Sequence, residues 1–309
     1  MARASEQPKL AVVILNWNRC QDTIDCVCAL QRQTLNDFET IVVDNGSRDG
    51  SPAILEERFP GIQVICNGAN LGYAGGNNVG IRAALEMGAD YVLLLNNDTV
   101  PGADFLEKLL AGATVDNNIA AAGPKVIWDV DPPRLWGAYA RVTYHKNIVR
   151  IEGFTCPDIN AFSEPEDVDA VIGCGIMMSR AALENVGLLD EEFFAYHEDV
   201  DWCCMAREKG YRVVYVPSAV LPHKGSISTG GGYDSPIMYF GGRNSVLFVK
   251  KHASFRQLLI FSFFVTYDLL RGLARALLRR PSEGYALKFR GIVDGLLGKP
   301  PPLGKLGLV

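Results

Sequence analysis

Short apolar runs alternate with longer stretches of helical periodicity over the first hundred residues. Residues 10–15 (LAVVIL) are apolar throughout, the pattern of a strand buried on both faces. Asn16-Trp17-Asn18 follows, then a helical pattern through Leu30. Residues 38–43 (FETIVV) predict a second strand, ending at Asp44-Asn45-Gly46-Ser47. Asp49-Gly50-Ser51-Pro52 is a helix-start signal. Residues 62–65 predict a third strand. Residues 70–78 (NLGYAGGNN) predict a Gly-rich loop that feeds a helix around residues 81–87. Residues 91–95 (YVLLL) predict a fourth strand, ending at Asn96-Asn97-Asp98. This alternation predicts an α/β fold with a mainly parallel, Rossmann-like sheet flanked by helices. Sheets of that kind bind ligands beyond the carboxyl ends of their strands. The polar clusters at 16–18, 44–47 and 96–98 all fall there.

Residues 120–170 are irregular, and long loops with short strands are expected around an acceptor region. Residues 171–178 (VIGCGIMM) predict another strand, and residues 193–201 (FFAYHEDVD) lead into a helix over 202–209. Gly210 fits a helix C-cap. Residues 211–216 predict a strand, and Pro222-His223-Lys224-Gly225 opens a loop rich in Gly and Ser. We therefore expect a catalytic-type domain over 1–238, with a nucleotide half at about 1–100 and an acceptor half at 101–238. A helical C-terminal region spans 239–309, and residues 300–309 are expected to be disordered. Residues 258–265 (LLIFSFFV) are apolar, but Asp268, Arg271, Arg275 and Arg279 follow at helical spacing. A spanning helix needs about 20 apolar residues, and this charged stripe interrupts the run early. A helix lying in the membrane interface over 255–295 is the expectation. A helical hairpin packed on the body is its competitor.

Charge sharpens that division. Residues 243–309 hold 12 Lys/Arg against 3 Asp/Glu, whereas residues 1–242 hold 18 against 32. The basic tail would gain about 1 kcal/mol per Lys/Arg near an anionic bilayer. The overall net charge of −5 argues against general nucleic-acid binding. Eight cysteines lack a C-x-x-C pair, and buried reduced thiols are expected. The N-terminal segment lacks a long apolar core, so the body is expected in the cytoplasm.

Each polar cluster has two readings. Asp98 can hold a divalent cation that neutralises a diphosphate, or it can cap the next helix. Asp44 can accept from a nucleobase N–H, or serve as a turn residue. The glycines near 75 can bring backbone N–H groups close to a phosphate. In His197-Glu198-Asp199-Val200-Asp201 a carboxylate shielded by Phe193, Phe194 and Tyr196 can act as a general base. Alternatively, these acids favour the positive end of the following helix. His223 alone is as well explained by structure. All of these groups at one end of one sheet form a constellation.

That constellation resembles the family 2 inverting glycosyltransferases of the GT-A fold, in the rhamnosyltransferase-like subgroup. The segments that carry the likeness are VVILNWN, IVVDNGSRDGS, NLGYAGGNNVGI, LLLNNDTVP, GCGIMM, FFAYHEDVDWCCMAREKGYRVVYVPSAVLPHKGS and YFGGRNSVLFVKKH, from about residue 10 to 252. The resemblance implies transfer of a hexose from a UDP- or dTDP-linked donor to a glycan or polyprenyl-linked acceptor hydroxyl, with inversion. It implies that Asp44 contacts the base, with Trp17 near it and Asn16 and Asn18 shaping the pocket. Asn70, Gly75, Gly76, Asn77 and Asn97 would border the donor diphosphate and sugar. Asn96-Asn97-Asp98 stands where the family has D-x-D, so Asp98, joined by His223, would hold Mg²⁺ or Mn²⁺. Asp199 would be the base, with Glu198 beside it. The setting implied is polysaccharide or cell-envelope assembly, peripheral at the inner face of the membrane. Two other readings compete. A nucleotide-sugar oxidoreductase or a nucleotidyltransferase lacks its expected Gly-rich turn after the first strand. A non-catalytic sugar-nucleotide binder would not need Asp98, Asp199 and His223 together.

Overall fold

The computed structural model describes residues 8–145, 147–225, 236–277 and 283–309. Residues 1–7, the polar loop expected after Gly225, and the side chains of Arg275 and Arg279 lie outside the described residues. The expected order of elements opens the chain: β1 (Leu10–Asn16), α1 (Cys20–Leu30), β2 (Phe38–Asp44), α2 (Ser51–Arg58), β3 (Gln63–Cys66), α3 (Gly72–Glu86) and β4 (Tyr91–Asn96). The middle holds α4 (Phe105–Ala113), β5 (Ile119–Trp128), β6 (Arg134–Gly137), β7 (Ala140–Val142), β8 (Val149–Ile151) and β9 (Glu166–Asp167). Then come β10 (Gly175–Ser179), α5 (Arg180–Val186), α6 (Glu198–Glu208) and β11 (Arg212–His223). Three helices follow: α7 (Pro236–His252), α8 (Phe255–Leu277) and α9 (Glu283–Leu296).

One sheet orders its strands β3-β2-β1-β4-β10-β5-β11-β9. β1 to β4 are parallel, whereas β10 runs antiparallel to both β4 and β5. β11 is parallel to β5. The apolar run in β1 has a direct cause. Val12 and Ile14 belong to one core, beneath α1 and α4, and Ala11 and Val13 to the other, with α3 and α6. Both faces are covered, so no position in the strand can be polar until Asn16.

Three expectations are corrected. The Gly-rich segment is not a loop, since α3 starts at Gly72 and includes Gly75, Gly76 and Asn77. A Cβ at Gly76 would stand 2.4 Å from Leu15 Cδ1. The glycine is there to let the helix lie close on β1, and its backbone N–H is committed to helix. The strand expected at 171–178 is shorter and begins at Gly175, because Gly173 and Cys174 give backbone groups to the site instead of to a ladder (below). Residues 300–309 are not disordered: Leu303–Leu306 form a 3₁₀ turn and Leu308 is buried.

The C-terminal helices wrap the body. α7 and α9 meet backbone to backbone, where a Cβ on Gly291 would lie 2.1 Å from the Tyr239 carbonyl oxygen. Tyr239 OH donates to Asp294 at 3.0 Å. Asp268 turns away from the expected charged stripe onto Lys288 of α9, at 2.6 Å. With that charge neutralised, α8 runs on to Leu277. The stretch Phe255–Ala274 is long and apolar enough to cross a membrane by length and composition, and only 11% of its apolar window is buried. Phe255, Leu259, Phe263, Tyr267, Leu270 and Leu273 are all exposed.

Candidate active site

The carboxyl ends of β1, β2 and β4 form a corner in which each polar side chain holds another. Asn16 Nδ2 donates to Asp44 Oδ1 at 2.8 Å and lies 3.1 Å from Ser47 Oγ. Asp44 Oδ2 accepts from the Ser47 N–H at 2.9 Å. Asn16 Oδ1 accepts from Thr23 Oγ1 at 2.8 Å, and Thr23 in turn accepts from Asn97 Nδ2 at 3.0 Å. This relay is buried and links Asp44 to the Asn96-Asn97-Asp98 turn. Asn45 extends it, donating to Asn70 Oδ1 and to the Gly72 carbonyl, both at 3.0 Å. Asn18 is exposed in a left-handed conformation, φ 53°, and accepts from the Arg48 N–H at 2.7 Å. Asn77 is buried and donates to the Tyr73 carbonyl of its own helix, at 2.9 Å. Gly75 and Gly76 are likewise buried within α3.

A second corner is built differently. His223 ends β11, and its Nε2 lies 3.1 Å from Asp98 Oδ1, with both side chains almost wholly buried. That approach lacks hydrogen-bond geometry. Asp98 Oδ1 and His223 Nδ1 are both buried without a hydrogen-bond partner. Residues 173–174 join this pair to the carboxylates at the start of α6. The Gly173 N–H donates to Asp199 Oδ2 at 2.8 Å, the Gly173 carbonyl accepts from Tyr73 OH at 2.5 Å, and the Cys174 carbonyl accepts from the Asn96 N–H at 2.9 Å. Burial holds the Tyr73 hydroxyl well above its ordinary pKa, reinforced by the charges of Glu198, Asp199 and Asp98. The Cys174 thiol is raised by burial and then by Asp98 and Asp199. Asp98 and Asp199 therefore flank one short segment of chain.

Burial also raises both α6 carboxyls. Glu198 is held well above the carboxylate range by desolvation and by the neighbouring Asp199. Asp199 is raised by desolvation, with N–H groups from Val200 and Gly173 acting against the rise. Glu198 Oε2 and His197 Nδ1 are buried without partners. Desolvation lowers the His197 pKa to about 4, so the ring is neutral.

The backbone before α6 is strained. Phe194, Tyr196 and His197 all have positive φ, at 62°, 70° and 75°. Such conformations cost of order 1–3 kcal/mol each and persist only where surroundings enforce them. Asn244 of α7 supplies the enforcement. Its Nδ2 lies 2.9 Å from the Phe193 carbonyl and 2.7 Å from those of Ala195 and Tyr196. Arg243, also buried, donates to the Glu192 carbonyl at 2.7 Å. The segment YFGGRNS carried the family likeness, but its role was not legible, because nothing local in it says which distant carbonyls it meets. Thr23, Ser47 and Tyr73 were missed for the same reason.

The C-terminal residues wall the first corner. The Leu308 carbonyl accepts from Asn70 Nδ2 at 3.0 Å, and Leu308 shares an apolar cluster with Tyr239 and Phe240. Half-buried Trp17 packs on that cluster beside Leu303 and Leu306. Trp17 thus stands at the rim rather than in the sheet.

Comparisons agree with this architecture. The family described as "Glycosyl transferase family 2" matches residues 11–187. An N-acetylglucosaminyl-diphospho-decaprenol L-rhamnosyltransferase of Mycobacterium tuberculosis is 29% identical over 226 residues, covering 66% of this chain and 72% of the relative. The dTDP-rhamnosyl transferase RfbF of Shigella flexneri is 29% identical over 223 residues, covering 69% and 71%. Among solved structures, a mannosyltransferase of Pyrobaculum calidifontis in complex with GDP-Man and Mn²⁺ superposes with a TM-score of 0.60 at 16% identity, over 96% of this chain and 89% of that one. The fold is thereby GT-A: a central sheet of mostly parallel strands with helices on both faces.

Proposed function

The chain belongs to glycosyl transferase family 2, and from that premise we propose that it moves a hexose, rhamnose first among candidates, from a nucleoside-diphosphate donor to a hydroxyl of a lipid-linked glycan, with inversion. The observation that carries this reading is the convergence of the Asp98–His223 pair and the Glu198–Asp199 pair on residues 173–174. Rhamnose rests on the two rhamnosyltransferase relatives. A lipid-linked acceptor rests on the decaprenol-linked substrate in the name of one of them.

A divalent cation fits the residues present. Asp98 Oδ1 and His223 Nδ1 are buried polar atoms with no hydrogen-bond partner, which the protein tolerates only where something else satisfies them. Among the described residues, no group of three or more His, Cys, Asp or Glu gathers for a metal. Asp98 and His223 would therefore hold Mg²⁺ or Mn²⁺ together with donor oxygens. When bound, such an ion offsets the charge that grows on the departing diphosphate.

The chain's own groups do the rest. The relay from Asp44 through Asn16 to Asn97 fixes the base-side carboxylate before the donor arrives, so little ordering is left to do on binding. Asp199 takes the proton from the acceptor hydroxyl as that oxygen attacks the anomeric carbon from the face opposite the diphosphate. A single displacement inverts the centre. Gly173 aims the Asp199 carboxylate, and burial brings its pKa toward the operating pH, where a base is most effective. A second assignment has its own support: Glu198 is the more strongly perturbed acid and keeps an unpartnered oxygen. Here Asp199 would orient and Glu198 would abstract.

The exposed apolar face of α8 and the basic tail favour contact with the cytoplasmic leaflet, where a polyprenyl-linked acceptor resides. The test is a transfer assay with Mn²⁺, an N-acetylglucosaminyl-diphospho-farnesyl acceptor and a panel of nucleotide sugars beginning with dTDP-rhamnose. We expect nucleotide release coupled to product, with the anomeric configuration inverted by NMR. Folded protein that releases no nucleotide with any donor would overturn the reading.

A further inference from the structure

Beside the Asp98–His223 pair lies a row of aromatic rings that the reaction above does not use. The Trp136 ring in β6 stands edge-on to His223 at 5.5 Å. Trp128, at the end of β5, is 6.2 Å from Trp136 on one side. Phe154 is 5.9 Å from Trp136 on the other, edge-on at 88°. Trp136 packs against the core with one part of its ring, but both tryptophans are only half-buried and Phe154 is 55% exposed. Beyond Phe154 the row opens into a cavity of about 570 Å³, within the usual range for a ligand site. The β7–β8 hairpin and α8 form its walls, and His145, Arg150, Phe154 and Phe264 are among its lining. The Arg150 guanidinium is neutralised by Glu152 at 2.8 Å. The His145 ring rests 4.8 Å from Phe264. Phe264 belongs to α8, whose next turns expose Tyr267, Leu270 and Leu273.

We infer that Trp128, Trp136 and Phe154 form the acceptor-sugar platform and that the cavity between the hairpin and α8 receives the acceptor's lipid end. The inference rests on the transferase reading and deepens it. Partly exposed aromatic rings beside a polar centre suit the C–H face of a pyranose, which is apolar although its rim is hydroxylated. His223 carries a buried, unpartnered ring nitrogen next to that platform, so the row begins at the reacting groups. It ends at the helix with the largest exposed apolar face. A sugar joined to a long hydrocarbon has that same sequence of chemistries, and Glu152 offsets the charge of Arg150 in the lining.

The test compares two acceptors in the same assay: N-acetylglucosaminyl-diphospho-farnesyl and a lipid-free benzyl N-acetylglucosaminide. Phe154→Ala should raise KM about tenfold for both acceptors while donor KM moves less than twofold, and Phe154→Trp should restore it. Phe264→Asp should raise KM for the farnesyl acceptor alone. Because Phe154 is exposed, its loss does not threaten folding, and unchanged thermal melting would verify that. An acceptor KM within twofold of wild type for Phe154→Ala, or a parallel rise in donor KM, would overturn the platform. An equal effect of Phe264→Asp on both acceptors would overturn the lipid path. If the wild-type enzyme releases no nucleotide from any donor, the transferase reading falls first and takes the platform with it.

Discussion

The two corners of the site differ in how their buried polar groups are satisfied. At the ends of β1 and β2, Asp44, Asn16, Thr23, Asn97 and Asn45 answer one another in an unbroken set of hydrogen bonds. At the ends of β4 and β11 and the start of α6, Asp98, Glu198, His197 and His223 each keep a buried atom without a hydrogen-bond partner among the described residues. A satisfied network is rigid and selects a shape. An unsatisfied one costs about 1–3 kcal/mol per group and is tolerated where a ligand or a reaction repays it. On the function proposed above, the first corner would recognise the donor and the second would react. Mutations should separate them, binding and stability in one, turnover in the other.

The largest break is expected at α6. Asp199→Asn should lower kcat by about 10²–10⁴ while nucleotide affinity, measured by isothermal titration, survives. Glu198→Gln in the same assay decides between the two carboxylates: the smaller loss marks the residue that only orients. Because burial raises both pKa values, the working base is protonated over a wider acid range than an ordinary carboxylate. The kcat/KM profile should rise with pH through a limb above the usual carboxylate range and stay flat above it. A limb at the ordinary carboxylate value would remove the desolvation argument.

Asn244→Ala tests whether the strained turn at 194–197 is held from α7. Released carbonyls and three left-handed residues should relax, lowering kcat on the order of tenfold with donor KM little changed, at a stability cost of about 1–3 kcal/mol. Chemical denaturation reads the cost, and loss of stability without loss of kcat would make Asn244 a packing residue only. Asn16→Ala should do the reverse. It removes the donor to Asp44 Oδ1 and the acceptor for Thr23 Oγ1, so donor KM should rise severalfold and stability fall by about 1–3 kcal/mol, with kcat at saturating donor nearly kept.

The smallest effect concerns pH and stability. The folded-state pKa of Glu198 lies above its unfolded value, so the folded protein holds that proton more tightly. The resulting stabilisation is complete below the unfolded carboxylate pKa and is lost as pH rises through the folded one. Glu198→Gln should therefore stabilise the protein by on the order of 1 kcal/mol at pH 8 and by nothing near pH 4. Thermal melts across that window would show a gain that grows with pH. A pH-independent difference would exclude a buried charge as its cause.

The same contrast governs what the sequence could tell. The strands of the first corner announce themselves, since burial on both faces leaves continuous apolar runs and the polar residues fall where the runs stop. The segments HEDVD and PHK also stood out, because they carry unusual chemistry in short stretches, and the fold brings both to this corner. Other features were hidden because they depend on contacts between distant segments. The glycines near 75 looked like a phosphate loop, and only the closeness of Leu15 explains them. Residues 171–174 looked like strand, although backbone groups of Gly173 and Cys174 serve Asp199, Tyr73 and Asn96. Residues 300–309, rich in Gly and Pro, carry little local preference, and their order comes from Asn70, 238 residues from Leu308, and from an apolar cluster built on Tyr239 and Phe240. Asp268 looked like a break in an apolar helix until Lys288 was seen to neutralise it.

The most direct measurement is the calorimetric titration of UDP and dTDP into wild type and Asp98→Ala, with Mn²⁺ and again with chelator. The account predicts that wild type binds at least one of them tenfold or more tightly with Mn²⁺, and that Asp98→Ala binds it weakly and equally in both conditions. Affinity that ignores both the metal and the substitution would contradict the assignment of the Asp98–His223 pair to a diphosphate-bound cation.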